Sequence, residues 1–269
     1  MTEPRATIPG APPLRRIAGG SWGRGYATLL SKELASWTRT RMGWVQLALW
    51  TLLLGGLLTV PLVFMRDLFA TEFGGPLTAA LDMFFNLAAL APSAGIVILA
   101  HGTIIGERQL GTAAWVLSKP VARSAFVLAK FTAFGIGSLV TALTLPAVVA
   151  YSALSFEAGA PLDALRFAAG VGMVSLGLLW YLALTLMLGT LASSRGLVLA
   201  LPLAAVVGGD LLVGLWSTAA ELGPWMLGRM ALLVAQGGPL LSAWPLVTTL
   251  GGILAFLTVA LWRFEREEF

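Results

Sequence analysis

Cysteine is absent from the sequence, histidine occurs once, and charge is scarce. Without cysteine there are no disulfides, no thiolate metal sites and no cysteine nucleophile, and the redox compartment stays open. One histidine cannot assemble a His-rich zinc centre, no H-E-x-x-H occurs and nothing resembles a nucleophile elbow, so the chain is not expected to be an enzyme. A G-x-x-x-x-G-K-[ST] phosphate loop is also missing; Gly102–Gly106 lacks the lysine. Charged residues make up 11% of the 269, against about 25% in a typical soluble domain. So little charge cannot solvate the surface of a water-soluble fold.

Apolar residues are abundant instead, at 58%, with a mean hydropathy of +0.86. The isoelectric point near 10.0 does not point to nucleic acid, because the basic residues flank apolar runs. Their expected partners are membrane lipids, above all the anionic inner leaflet. Crossing a bilayer as a helix takes roughly 20 apolar residues, since each backbone polar group must be satisfied within the segment. Six runs qualify: 42–65, 80–106, 125–151, 167–191, 197–219 and 243–263. The expected fold is therefore an all-α integral membrane protein with six transmembrane helices in one domain, 42–263.

Orientation follows the Lys and Arg residues. With the amino terminus inside, the cytoplasmic set holds Arg5, Arg15, Arg16, Arg24, Lys32, Arg39, Arg41, Arg108, Lys119, Arg123, Lys130, Arg195, Arg263 and Arg266. Only Arg66, Arg166 and Arg229 fall outside. Both termini are thus expected in the cytoplasm of a multi-pass protein. Residues 1–25, rich in Pro, Gly and Arg, read as a flexible tail rather than a cleaved leader, and 264–269 as a short second tail. Between them and the first span, Tyr26, Leu29, Leu30, Leu34 and Trp37 recur at helical spacing. Residues 26–41 read as an amphipathic helix in the cytoplasmic interface, its apolar face toward lipid.

The connection 107–124 between the second and third spans carries the most information. It reads as one short helix over 107–119, with Leu110, Ala114 and Leu117 along one face and Trp115 beside them. Pro120 ends it, and Ser124 is placed to cap the next span. A small apolar face with charged ends suits docking into a soluble partner. Taken singly, Glu107, Arg108 and Arg123 also fit ordinary solvated charge.

This loop resembles that of the ABC-type-2 exporter permeases, whose pattern is Glu-Arg-x-x-Gly-Thr, a few apolar residues, Pro-Val-x-Arg and a Lys. Glu107, Arg108, Gly111, Thr112, Pro120, Val121, Arg123 and Lys130 match it in order. Lys32-Glu33-Leu34 with Arg39-Thr40-Arg41 is similar to the family's amino-terminal connecting helix, and Ser193-Ser194-Arg195 to its turn between spans four and five. The resemblance implies a permease subunit of an ATP-driven exporter in a bacterial or archaeal cytoplasmic membrane. It implies a coupling helix at 107–119 that carries Glu107, Arg108, Gly111, Thr112, Trp115 and Leu117, with Pro120 and Arg123 following it. It also implies an ABC-type ATPase subunit that binds ATP and Mg, and a second permease copy. The alternatives are a partner-independent secondary transporter or channel, or a membrane scaffold that recruits a soluble protein.

Three polar residues within the spans are candidates for a translocation path. Asp210 lies between Gly209 and Leu211 in span five; it reads either as a path residue or as a structural carboxyl bonded to a neighbouring helix or to Gln46. Asp82 and Asn86 could line an outer vestibule. His101 reads as a hydrogen-bonded packing residue, and 220–241 as either a re-entrant or a surface segment. The topology is directly testable because the chain has no cysteine of its own. Single cysteines at Glu72, Gly159 and Gly237 should react with an impermeant thiol reagent from outside, and those at Gln109 and Glu267 should not. Outside labelling at Gln109 would reverse the orientation.

Overall fold

The computed structural model describes residues 23–72, 74–216 and 222–267, with the backbone alone at 70–72, 114, 117, 210, 212 and 213. Among them every regular element is helical. A short helix α1 (Tyr26–Arg39) precedes the first long helix α2 (Arg41–Phe64), which Thr40 caps by accepting the Met42 N–H at 3.2 Å. Next come α3 (Arg66–Glu72) and α4 (Pro76–Ala100). The loop helices are α5 (Ile105–Gln109) and α6 (Thr112–Leu117), followed by α7 (Arg123–Ala158) and α8 (Ala164–Leu191). The chain closes with α9 (Arg195–Leu215), a short α10 (Leu227–Ala235) and α11 (Trp244–Glu265).

Five helical stretches are long and apolar enough to cross a membrane: α2, the stretch Pro76–Gln109, α7, α8 and α11. They match five of the six expected runs; α2 is shifted by one residue at equal length and the others are longer. The third runs to Ala158 rather than 151; its 36 residues span about 54 Å, against roughly 30 Å of hydrocarbon, so its ends reach past the apolar layer. The run expected at 197–219 is helical as far as Leu215 in α9, is not one of those five, and at 217–219 lies outside the described residues.

The third helix is not a regular α-helix throughout. Residues 139–144 form a π-turn just before Pro146, whose ring nitrogen cannot donate. Before it the buried stripe runs through Phe126, Lys130, Ala133 and Gly137; after it, through Ala142, Pro146, Ala150 and Leu154. The step of five at the turn shifts the stripe by one residue and keeps both halves facing inward. Helix α2 carries two such segments, Thr51–Gly55 and Val60–Phe64, the second holding Pro61.

Helix α1 differs from its expected setting. Its apolar side is covered by α7: Trp37 meets Phe134 edge-on at 5.8 Å and lies against Gly137, and the Tyr26 hydroxyl donates to Thr132 at 2.9 Å. Only polar or small residues such as Thr28, Ser31 and Lys32 stay exposed. A neighbouring helix offers Trp37 closer packing than mobile lipid chains do.

At one end of the bundle lie residues 24–26, the loop 101–122, the α8–α9 turn and Glu265–Glu267. Ala122 N–H donates to the Arg24 carbonyl there, and Arg108 pairs with Glu267. At the other end Arg66 pairs with Glu157 at 2.6 Å. The segment left open between surface and re-entrant folds inward from this second end. Pro224 and Leu227 lie against Gly177, Ala231 against Gly170 and Gly237 against Arg166, all on α8. Gly177 is roughly 20 Å along α8 from Ala164. Helix α10 is thus a half-length helix that starts at mid-bundle and climbs back toward the end. Leu227, Gly228, Met230 and Ala231 are buried against α4 and α8.

Glycine at 170 is what admits this half-helix. A Cβ there would lie 2.8 Å from the Phe85 ring and 2.9 Å from the Ala231 carbonyl, whereas one at Gly172 would meet nothing within 4 Å. Gly170→Ala should therefore lower the thermal unfolding midpoint in detergent, with overpacking costing about 1–3 kcal/mol. Gly172→Ala should leave the midpoint unchanged or raise it. Equal behaviour of the two variants would contradict this packing.

Candidate functional site

The loop joining α4 to α7 is two short helices, not the single helix 107–119 expected. Helix α5 ends at Gln109, Leu110 and Gly111 break the path, and α6 begins at Thr112. Gly111 has φ of 71°, left-handed geometry that a side chain disfavours, and a Cβ there would touch nothing within 4 Å. Glycine is required here by the turn and not by close packing. The Thr112 hydroxyl donates to the Glu107 carbonyl at 3.2 Å and ties the two helices across the break. Helix α7 then starts at Arg123 with Ala122 in the cap position and no side-chain cap, so Ser124 is not the cap expected; it is buried inside the first turn.

The motif residues divide into two groups. Glu107, Arg108 and Arg123 turn inward and bind the chain's own elements, which excludes plain solvated charge. Glu107 Oε1 accepts from Lys130 Nζ at 2.7 Å, and Glu33 of α1 accepts from the same ammonium at 3.2 Å. Lys130 is 3% exposed and also lies 4.9 Å from the Phe126 ring centre. A buried ammonium would be costly alone; two carboxylates and an aromatic face offset its lost hydration. Arg108 donates from Nε to Glu267 at 2.9 Å and to the carbonyls of Gly189 and Ala192 at 3.1 and 3.2 Å. It thereby satisfies the carboxyl end of α8, where a cation is favoured. Arg123 does the same for α11 through the carbonyls of Glu265 and Glu267, at 2.6 and 2.8 Å. Arg195 Nε reaches Gln109 at 2.9 Å, and the Gln109 amide donates to the Ser193 carbonyl. These bonds fasten the loop to α1, α7, α8, the α8–α9 turn and α11.

The second group faces out. Leu110 and Trp115 are 74% and 67% exposed, with Ser118, Lys119 and Pro120 exposed beside them. The Lys119 ammonium stands 5.2 Å from the Trp115 ring centre. Ala113 is wholly buried and Val116 packs on the core, so α6 is anchored on one side and bare on the other. The side chains of Ala114 and Leu117, assigned to the same apolar face, lie outside the described residues.

The far end of the bundle holds an open cavity of about 860 Å³ between α4, α8, α9 and α10. Asp82 and Asn86 both line it, as a vestibule reading requires, and the Asn86 amide donates to Asp82 Oδ1 at 2.9 Å. The Asp210 side chain lies outside the described residues, although its neighbour Gly209 lines the same cavity. Gln46, suggested as its partner, accepts from Trp50 on its own helix at 2.7 Å. Trp225 closes the inner part, its indole N–H donating to the Ala205 carbonyl at 2.8 Å. His101 Nδ1 bonds the Ile98 carbonyl one turn back at 2.7 Å, and the residue is half-buried at the end of α4. Among the described residues no group of three or more His, Cys, Asp or Glu could hold a metal ion.

Sequence inspection named Glu33, Glu107 and Lys130 in separate matches but did not pair them. Glu33 and Lys130 are separated by 97 positions, and Glu267 is 159 from Arg108, so no local spacing reveals them. The one available signal was Lys130 itself, a lysine inside an apolar stretch. The chain matches no family model and no curated protein.

The clasp makes a definite energetic statement. Lys130→Met leaves Glu33 and Glu107 facing each other without a cation, which should destabilise the protein by roughly 3–5 kcal/mol. Adding Glu33→Gln and Glu107→Gln to that variant should restore most of the loss. Thermal unfolding in detergent reads both. A Lys130→Met protein as stable as wild type would show that the ammonium is not what holds the loop.

Proposed function

We propose that the chain is the membrane-embedded permease subunit of an ATP-driven exporter, acting with a separate ATPase subunit and a second permease copy. The observation that carries this reading is the loop 105–122. It presents a bare apolar surface, Leu110 and Trp115, on a backbone fastened to four helices by ion pairs and hydrogen bonds. A load applied to that surface by a partner is transmitted to α1, α7, α8 and α11 together, as a coupling element must do. Glu107, Arg108 and Arg123 are the fastening, and Leu110, Trp115 and Pro120 are the contact surface. The order of motif residues shared with ABC-type-2 permeases adds support, and ATP and Mg then belong to the partner.

In this reading α9 is the sixth span. It is supported by the two described chain ends, which both lie at the loop end of the bundle, as an even number of passes would have them. The loop end faces the cytoplasm of a bacterial or archaeal cell, in keeping with the basic residues gathered there. Asp82, Asn86 and Asp210 belong to the outer part of the path.

The test is site-specific. A photo-crosslinker at Trp115 should capture a nucleotide-binding chain, and the purified complex should hydrolyse ATP. Leu110→Asp and Trp115→Ala should weaken that assembly by about 2 kcal/mol each, roughly thirtyfold, as for a central aromatic anchor. Glu107→Gln should keep the assembly and lose substrate-stimulated hydrolysis. Crosslinks to lipid alone, with no ATPase activity in the purified protein, would reject the coupling role.

A further inference from the structure

We propose that the cavity between α4, α8, α9 and α10 is a binding site for a zwitterionic amphiphile, a molecule bearing an amine and a phosphate on an apolar chain. Its volume of about 860 Å³ lies within the range of roughly 300–1,000 Å³ typical of ligand sites. The inner walls are apolar, with Leu87, Leu90, Val174 and Val206 leading down to Trp225 at mid-bundle. Two charges share the space, Asp82 nearer the open end on the first turns of α4 and Arg229 deeper, just after the start of α10. Asp82 on α4 and Arg229 on α10 line the same space and are both exposed, yet no salt bridge among the described residues includes either.

Opposite charges that share a cavity without pairing define what fits between them. A purely anionic ligand would bring like charge to Asp82, and a purely cationic one would do so to Arg229. A neutral apolar ligand would strip water from both charges and return nothing. An ammonium at Asp82 and a phosphate at Arg229 satisfy each, the phosphate matching the planar guanidinium. The apolar walls beside them accept an acyl chain and give a free head group no purchase. This site is argued from the chain by itself and is tested without an ATPase, so its failure leaves the coupling reading untouched.

The test is calorimetric titration of the purified protein in nonionic detergent with four probes. They are dihexanoyl-phosphatidylethanolamine, dihexanoyl-phosphatidic acid (no amine), octylamine (no phosphate) and phosphoethanolamine (no tail). Wild type should bind the phosphatidylethanolamine tightest and phosphoethanolamine not measurably. Asp82→Asn, which preserves the bond to Asn86, should weaken phosphatidylethanolamine and octylamine roughly tenfold, the worth of one charged contact, and spare phosphatidic acid. Arg229→Gln should weaken phosphatidylethanolamine and phosphatidic acid and spare octylamine. Leu90→Trp, which fills the apolar wall without touching a charge, should weaken every tailed probe. Unfolding midpoints of all variants should match wild type. The proposal fails if wild type does not bind phosphatidylethanolamine, if neither charge substitution changes its affinity, or if phosphoethanolamine binds as well as the lipid. Equal weakening of all probes by either charge variant would also defeat it, because the two charges would then have no separate partners.

Discussion

A single ammonium group organises the loop end of this protein. Lys130 sits on a long apolar helix with almost no access to solvent, and such a cation is tolerable only where carboxylates and an aromatic face replace its water. Glu33 comes from the helix before the first span and Glu107 from the loop after the second, so holding Lys130 obliges both elements to converge on α7. With Glu107 in place the next residue, Arg108, faces the carboxyl end of α8 and the Glu267 carboxylate, and Arg123 closes the set against α11. Remove the ammonium and the convergence loses its reason.

The two ends of the bundle share their helices. Helix α4 bears Asp82 and Asn86 near its start and runs into the clasped loop at its finish. Helix α8 receives the half-helix at Gly170 and Gly177 and offers its final carbonyls to Arg108. Neither helix is joined to its neighbours chiefly by polar bonds along its middle. There the contacts are rings and small residues, such as Phe256 and Trp225 at 5.1 and 5.9 Å from the Trp180 ring. Close packing of this kind moves as a unit rather than deforming.

Hydropathy made the long helices legible, since a bilayer-length apolar run leaves little else for the chain to form. Their ends were less so. Helix α7 outlasts its expected span because 152–158 is helical without needing to be within lipid. The π-turn at 139–144 was hidden because a one-residue shift of the buried stripe looks, in sequence, like an ordinary mixed face. Helix α1 read as amphipathic, correctly, but periodicity does not say whether lipid or protein covers the apolar side; Phe134 and Gly137 decided it. The Leu110–Gly111 break was hidden because both flanks favour a helix. The clasp was legible only in part. Its motif residues, Lys130 among them, stand in order in the sequence, but no local spacing tells which of them pair with one another or with Glu33 and Glu267.

The half-helix has an electrical consequence. In a bilayer, an open cavity that reaches mid-bundle brings high-dielectric solvent about halfway through the low-dielectric layer. A membrane potential of 100 mV is worth about 2.3 kcal/mol for each unit charge that crosses it. Here that voltage falls across the remaining, thinner half of the protein, between Trp225 and the loop end, and the local field there roughly doubles. An ion or head group at Asp82 would therefore feel little of the potential, and nearly all the electrical work would be done on the last part of the passage.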